Sequence, residues 1–330
     1  MKGIIIVNPY KIPAQSISQA ERLIEEFISL GAKAEIVSDA YSRAFVDKGG
    51  VFLDKSFQNA DFFVYLDKDK YVSDILERAG KRVFDMHKTI RECDDKGETY
   101  ISLAAGGFSV PKTLFAPLCY SKDLAALQGF TERIERELSY PIIVKESYGS
   151  MGKGVFKAEN RKELTEISEK LKCSPHLYQE YACAERGTDM RVIVVGGTAA
   201  AAMLRVNEKD FRSNIALGGK GIKIDLDKVF EEHGGSGEKS LACNDLTCGE
   251  KFFACGDIKI EITKFIATAE RAAQYLKADY CGVDLLIGND GEPIICEVNS
   301  NAFFEEIEKV TGVNVAARYA KYILFVCRGM

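Results

Sequence analysis

The chain has 330 residues, 46% of them hydrophobic, with 44 Lys and Arg against 49 Asp and Glu for a net charge of −5. Such a length and apolar content suffice for a large core shared among two or three domains, which excludes a disordered or fibrous chain. The slight negative charge gives no electrostatic reason to expect nucleic acid as a partner, and no apolar run reaches the length of a membrane span.

Met1-Lys2-Gly3 followed by Ile4 to Val7 is too short for a signal-peptide core and reads as a first β-strand, so a soluble, cytoplasmic protein with no membrane partner is expected. The stretch "SQAERLIEEFISLG" is an amphipathic helix in which Ser18 and Glu21 are spaced for a capping box and Gly31 for the closing turn. "AEIV", "FFVYLD" and "KRVF" supply further short strands, so residues 1 to about 86 read as a small α/β layer with a parallel sheet. No GxGxxG follows the first strand, and dinucleotide binding has no support there. Residues 87–105 read as mostly helical up to Gly106-Gly107, and "LAALQGFTERIERELSY" reads as a helix before Pro141; a second domain has begun.

In "YPIIVKESYGSMGKGVFKAEN" an apolar strand ends in Lys145, a loop with Gly149, Gly152 and Gly154 follows, and another strand starts near Val155. Glycine amides free of side chains can cradle phosphate while Lys145 adds a point charge; an ordinary hairpin loop with a solvated lysine is the alternative. The loop is no Walker A, because it joins strand to strand and lacks the Gly-Lys-Ser/Thr ending. "HLYQEY" is a strand ending near Glu180, and "GTDMRVIVVGGTAAAAMLRV" a hairpin turning at Gly196-Gly197. By strand parity Asp189 and Arg191 share a face, either pointing into a cleft or pairing with each other on the surface. Arg212 and Asn214 then precede a Gly218-Gly219 loop, where an arginine near a phosphate loop is suited to clamp charge, though a surface arginine needs no function.

"CGVDLLIGNDGEPIICEVNSN" reads as a hairpin with Asp290-Gly291 as a two-residue turn. That register places Asp284 directly opposite Glu297, with Asn299 on the same face, and puts Val283, Leu285, Ile287, Ile294, Cys296 and Val298 on an apolar core face. Carboxylates with Cβ atoms about 5 Å apart repel unless a proton or a cation sits between them. The ten cysteines lie singly, without CxxC, as reduced thiols; Cys243, Cys248 and Cys255 fit no common zinc spacing. His87, His176 and His233 share no motif and read as structural or solvated.

The ordered set of a lysine-ended strand with a glycine-rich loop, Gln179-Glu180-Tyr181, Asp189, Arg212-Ser213-Asn214, Asp284 and Glu297-Val298-Asn299 resembles the ATP-grasp superfamily, and most closely its RimK-like branch of α-L-glutamate and amino-acid ligases, over roughly residues 87–325. The resemblance implies an α/β (α+β) ATP-grasp fold: a parallel pre-grasp domain over 1–94, an N-terminal grasp subdomain with the glycine-rich loop over 95–184, and a C-terminal subdomain with antiparallel sheet and metal site over 185–330, carrying an insertion at about 223–258. By the same resemblance Lys96 and Lys145 contact phosphates, Ser150, Gly152 and Gly154 belong to the ATP loop, Glu180 and Tyr181 form the hinge at the adenine, and Asp189 lies near the ribose. Arg212, Ser213 and Asn214 surround the triphosphate, with Arg212 and Asn214 as the catalytic candidates, while Asp284, Glu297 and Asn299 are the Mg²⁺ ligands. The implied cofactors are ATP and Mg²⁺, two ions with Mn²⁺ as a substitute. The implied partners are a carboxylate substrate and an amine such as an amino acid, which ATP joins into an amide through an acyl phosphate. A homodimer is the common default.

Two features depart from the family: the long segment between Gly219 and Gly282, and "SNAFFEEIEKVTG", where Phe303-Phe304 add bulk beside the metal motif. Both fall where an acceptor would bind, the long segment reading either as a lid or acceptor-recognition element or as a tolerated surface excursion, which leaves the substrates open. The alternatives are a catalytically silent ATP-binding regulatory module and an ATP-grasp carboxylase or phosphotransferase.

Overall fold

Ile4, Ile5, Ile6 and Val7 are all buried, which is the burial a central parallel strand requires on both faces. In the computed structural model, which describes residues 1–10, 14–41, 44–120, 125–184, 186–230, 252–255 and 258–329, they form β1 (Lys2–Val7). It is followed by α1 (Ala14–Ser29), β2 (Lys33–Ser38), a hairpin of β3 (Ala44–Asp47) and β4 (Gly50–Leu53), α2 (Lys55–Gln58), β5 (Phe62–Leu66), α3 (Lys70–Arg78) and β6 (Val83–Phe84). The parallel sheet runs β2-β1-β5-β6, as the apolar runs imply. α1 begins ahead of the expected capping box, so Ser18 lies inside the helix rather than at its N-terminus. Gly31, with φ 75°, does follow the helix end. The β3–β4 hairpin carries few apolar alternations and was not anticipated.

The chain continues through α4 (His87–Asp94), α5 (Lys96–Ala105), β7 (Thr113–Phe115), α6 (Ala125–Glu137), β8 (Ile142–Glu146), β9 (Val155–Ala158), α7 (Arg161–Leu171) and β10 (His176–Glu180). Four strands form an antiparallel sheet ordered β7-β10-β8-β9. Its alternation is strict: Ile142, Val144 and Tyr178 enter a core with Ile134 and Leu164, which leaves Ile143, Lys145 and Gln179 on the other face.

Next come β11 (Thr188–Val195), β12 (Thr198–Val206), β13 (Lys220–Ile224), α8 (Leu226–Phe230), β14 (Phe252–Cys255), β15 (Ile258–Glu261), α9 (Ile262–Tyr275), β16 (Tyr280–Ile287), β17 (Pro293–Asn299), α10 (Glu305–Thr311) and α11 (Val315–Arg328). A five-stranded antiparallel sheet runs β13-β12-β11-β16-β17. One face, with Met190, Val192, Val283 and Leu285, packs on Phe265, Ile266 and Ala269 of α9. Cys243, Cys248 and His233 lie outside the described residues. His176 is buried, with ring nitrogens 2.8 Å from Ser174 O and from Tyr178 Oη, a structural histidine as expected.

The β16–β17 hairpin reaches the expected result by an unexpected route. Gly288 N donates to Glu292 O at 2.9 Å around Gly291, whose φ of 80° suits glycine, so the turn holds three residues rather than two. Leu285, Leu286 and Ile287 therefore pair with Ile295, Ile294 and Pro293, one residue out of the anticipated register. A bulge at Cys296 absorbs the slip, and Asp284 still faces Glu297, with Gly282 facing Asn299. The correction falls on the core: Ile295 enters it, while Cys296 and Ile294 do not.

Candidate nucleotide and metal site

Helix α5 starts with an Asp-Lys pair whose halves have different tasks. Asp95 caps the helix, accepting from Gly97 N at 2.8 Å and Glu98 N at 3.4 Å. Lys96, 8% exposed, extends its Nζ to Gly149 O at 2.9 Å and lies 3.4 Å from Glu297 Oε1, tying the glycine-rich loop to the β16–β17 hairpin. From β8, Lys145 Nζ donates to Tyr100 Oη at 2.9 Å and lies 3.7 Å from Cys296 Sγ, while Tyr100 donates to Cys296 O. Burial pulls the Lys145 ammonium down, but Cys296, Tyr100 and Glu297 more than offset it and hold it above its ordinary value.

Facing these lysines is a row of charge across the five-stranded sheet. Arg205 on β12 sits opposite Asp189 on β11 and donates Nε to Oδ1 at 2.7 Å. Arg191, two residues along the same face, sits opposite Asp284 on β16 and grips it with a fork, Nε to Oδ1 and Nη2 to Oδ2, both 2.7 Å. Arg205 Nη2 also reaches Asp284 Oδ2 at 2.9 Å. Burial pushes the Asp284 carboxyl up, yet Arg191 and Arg205 outweigh it; burial likewise raises Glu297, and Lys96 together with Lys68 and Lys145 outweighs it. Both carboxylates are held below the usual range and stay ionised.

The remaining walls come from the end of β10 and from loops. Glu180 Oε1 accepts from Lys112 N at 2.8 Å, so the side chain is committed to the backbone. Beside it Gln179, 1% exposed, presents an unpartnered Oε1. Thr113 Oγ1 donates to Pro111 O at 2.7 Å and so must accept from Gln179 Nε2 at 2.8 Å, which fixes the amide with its oxygen as the free end. Arg212 is forked to Asp210, with Nε to Oδ1 at 3.0 Å and Nη2 to Oδ2 at 2.8 Å, and its Nη1 crosses to Gly152 O at 2.6 Å. Gly152 has φ 71°, and a Cβ there would stand 3.2 Å from Asn214 Oδ1 and 3.3 Å from Arg212 Cδ, so glycine is favoured where the two loops meet.

One cleft is thus lined by Lys96, Lys145, Ser150, Gly152, Gly154, Glu180, Tyr181, Asp189, Arg212, Ser213, Asn214, Asp284 and Glu297. Of the expected site residues only Asn299 is outside that lining, two positions past Glu297 on the same strand. Asp189 does not pair with Arg191, and both its oxygens are engaged by Arg205. The opposed acids are not unpaired either, since Arg191, Arg205 and Lys96 supply the cations. Sequence reasoning missed Arg205 and Tyr100, put Cys296 in the core, and gave Gln179 no role of its own although it stood in the Gln179-Glu180-Tyr181 element and shares a face with Lys145 across the β8–β10 pair.

Among the described residues no group of three or more His, Cys, Asp or Glu side chains is arranged to hold a metal ion. Two ionised carboxylates and the amide of Asn299 are hard oxygen donors that fit magnesium as a partial set, the pattern for an ion that draws its other ligands from phosphate and water.

A lysine-bearing four-stranded sheet closing a glycine-rich loop over an acid-bearing five-stranded sheet is the ATP-grasp fold. The structure of the ATP-grasp ligase PsnB complexed with minimal precursor, Mg and ADP aligns over 98% of this chain and 97% of its own, with TM-score 0.61 at 16% identity. Within that fold, the RimK-like ATP-grasp domain pattern matches residues 93–234 and 257–323, and the chain belongs to that family. It is 29% identical over 265 residues to human N-acetylaspartylglutamate synthase A, covering 79% of this chain and 57% of the relative. It is 32% identical over 233 residues to a probable alpha-L-glutamate ligase of Maridesulfovibrio salexigens, covering 69% and 62%. The chain spans about half the length of the curated synthases it matches. Among the described residues no helix is long and apolar enough to cross a membrane.

Proposed function

We propose that the chain is an ATP-dependent carboxylate–amine ligase that transfers the γ-phosphoryl group of ATP to a substrate carboxylate and lets an amine attack the acyl phosphate, giving an amide, ADP and phosphate. The observation that carries this is the pair Asp284 and Glu297, both kept ionised at the floor of a cleft whose other jaw bears Lys145 and the glycine-rich loop. Bound Mg²⁺ would be held by Asp284, Glu297 and Asn299 and would neutralise charge on the transferring phosphoryl group. Two ions, with Mn²⁺ as a substitute, are our expectation. Lys96 and Lys145 hold phosphate oxygens from the opposite jaw, and Arg212, aimed at the glycine loop by its fork to Asp210, stabilises charge at the acyl centre beside Asn214. The fixed acceptor Gln179 Oε1 suits a donor such as the amino group of adenine, and the backbone around Glu180 and Tyr181 completes the hinge. Closure of the glycine loop excludes water that would hydrolyse an acyl phosphate.

Relatives named as N-acetylaspartylglutamate synthase and alpha-L-glutamate ligase make glutamate the first amine to test. The domain division at residues 94 and 184 and a homodimeric assembly are part of the same reading. The test is ADP release from Mg-ATP with pooled amino acids, short peptides and small carboxylic acids, with mass spectrometry of the products and an Asp284→Asn, Glu297→Gln double variant as control. A product lighter by one water than its two substrates, absent in the control, establishes the ligase. Carboxyphosphate chemistry dependent on bicarbonate would instead make the chain a carboxylase, and nucleotide binding with no turnover across the pool would favour a silent regulatory module.

A further inference from the structure

We propose that Arg191 is a placeholder for the divalent ion: in the nucleotide-free chain its guanidinium neutralises Asp284, and the ion gains that carboxylate when a phosphate anion takes the guanidinium in exchange. This rests on the Mg-nucleotide reading of the cleft.

Three internal cations neutralise the facing carboxylates, Arg191 and Arg205 on Asp284 and Lys96 on Glu297. Two of them have other commitments. Arg205, whose side chain is 3% exposed, is forked to Asp189, and Lys96 donates to Gly149 O. Arg191 differs: among the described residues its hydrogen bonds go to Asp284 alone, and its side chain keeps 14% exposure. It can leave without breaking a second ion pair, and Asp284 retains Arg205 when it does. A planar guanidinium fork matches phosphate as well as it matches carboxylate, so the exchange conserves the geometry of the bond.

The shortage of ligands points the same way. With two carboxylates and one amide, a free ion meets a site that is short of oxygen donors and already neutralised. A phosphate alone meets a cation already paired. Arriving together, each releases the partner the other needs, and the resulting coupling must be reciprocal.

The experiment uses Mn²⁺ as probe, with free ion counted by electron paramagnetic resonance, on the full chain with and without a non-hydrolysable ATP analogue. Wild type is expected to bind Mn²⁺ weakly alone and about tenfold or more tightly with the analogue. Arg191→Met should tighten Mn²⁺ binding to the nucleotide-free protein by about tenfold and shrink the gain from nucleotide correspondingly. Arg191→Lys, which keeps charge but loses the fork, should fall between, and serves as the deciding variant if the methionine form does not fold. Equal Mn²⁺ affinity of folded variant and wild type overturns the placeholder, as does tight Mn²⁺ binding by nucleotide-free wild type. Failure of the underlying reading is distinct: the analogue then leaves no binding heat in calorimetry of wild type.

Discussion

The same face of the five-stranded sheet is built of charge at one end and hydrocarbon at the other. Asp189 and Arg191 on β11, Arg205 on β12 and Asp284 on β16 give way, two residues along β11 and β12 and four along β16, to Ile193, Met203 and Tyr280. Those apolar residues pack with Phe304, Tyr319 and Ile323 of the C-terminal helical region and with the parallel domain. Backbone, strand direction and burial are nearly shared, yet the two ends have opposite energetics. The apolar end stabilises the fold through area removed from water. At the charged end desolvation consumes most of what the ion pairs return, so a buried row of this kind contributes little net stability. Tyr280 anchors the apolar end, with its ring stacked on Tyr319 at 4.6 Å and its hydroxyl donating to Ala302 O at 2.6 Å.

The largest effect should come from removing the residue that joins the charges. Arg205→Met strands Asp189 in a buried setting and leaves Asp284 with Arg191 alone, and a loss of about 3–5 kcal/mol in urea unfolding is expected. Nucleotide binding by calorimetry should be lost as well, even in the fraction that stays folded. The counterpart at the apolar end is Ile193→Ala, fully buried two residues from Arg191, which should cost about 2–5 kcal/mol. There the nucleotide affinity per folded molecule should hold. Equal loss of binding in both variants would mean that the two ends are one cooperative site rather than a scaffold and a site.

Acid separates the ends further. Asp284 and Glu297 have folded values held below the ordinary 3.8 and 4.5, so their stabilisation is complete above those values and is lost as pH falls through the lower folded ones. Urea midpoints of wild type should therefore hold from pH 7 to about pH 5 and fall below about pH 4. The penalty of Asp284→Asn should shrink over the same acid range, because the wild-type carboxyl is itself becoming neutral. Ile193→Ala should show a penalty independent of pH. An Asp284→Asn penalty that grows in acid would reverse the assigned sign.

Much of this face was legible. Apolar runs named the parallel strands, parity put Asp189 with Arg191, and the Asp-Gly turn brought Asp284 to Glu297. Arg205 was not legible, for a geometric reason. Counted from the Gly196-Gly197 turn, a regular hairpin sets Asp189 opposite Leu204, but the register shifts between Ile193 and Val194, and Asp189 meets Arg205 instead. Single-residue bulges leave little trace in composition, and each moves every later side chain to the other face.

The β16–β17 hairpin offers the finest test of that lesson, because its longer turn and its bulge cancel at Asp284 but not between them. A regular two-residue turn would bury Cys296 and turn Ile295 toward the cleft. The observed register does the reverse, with Ile295 fully buried and Cys296 half-buried against Lys145. Ile295→Ala should accordingly cost about 2–5 kcal/mol, whereas Cys296→Ser should cost no more than about 1 kcal/mol. Because Cys296 lines the cleft beside a phosphate-binding candidate, its serine variant should reveal itself in nucleotide affinity before it does in stability. The opposite ranking of the two penalties would restore the regular hairpin, and with it a core in which the bulge plays no part.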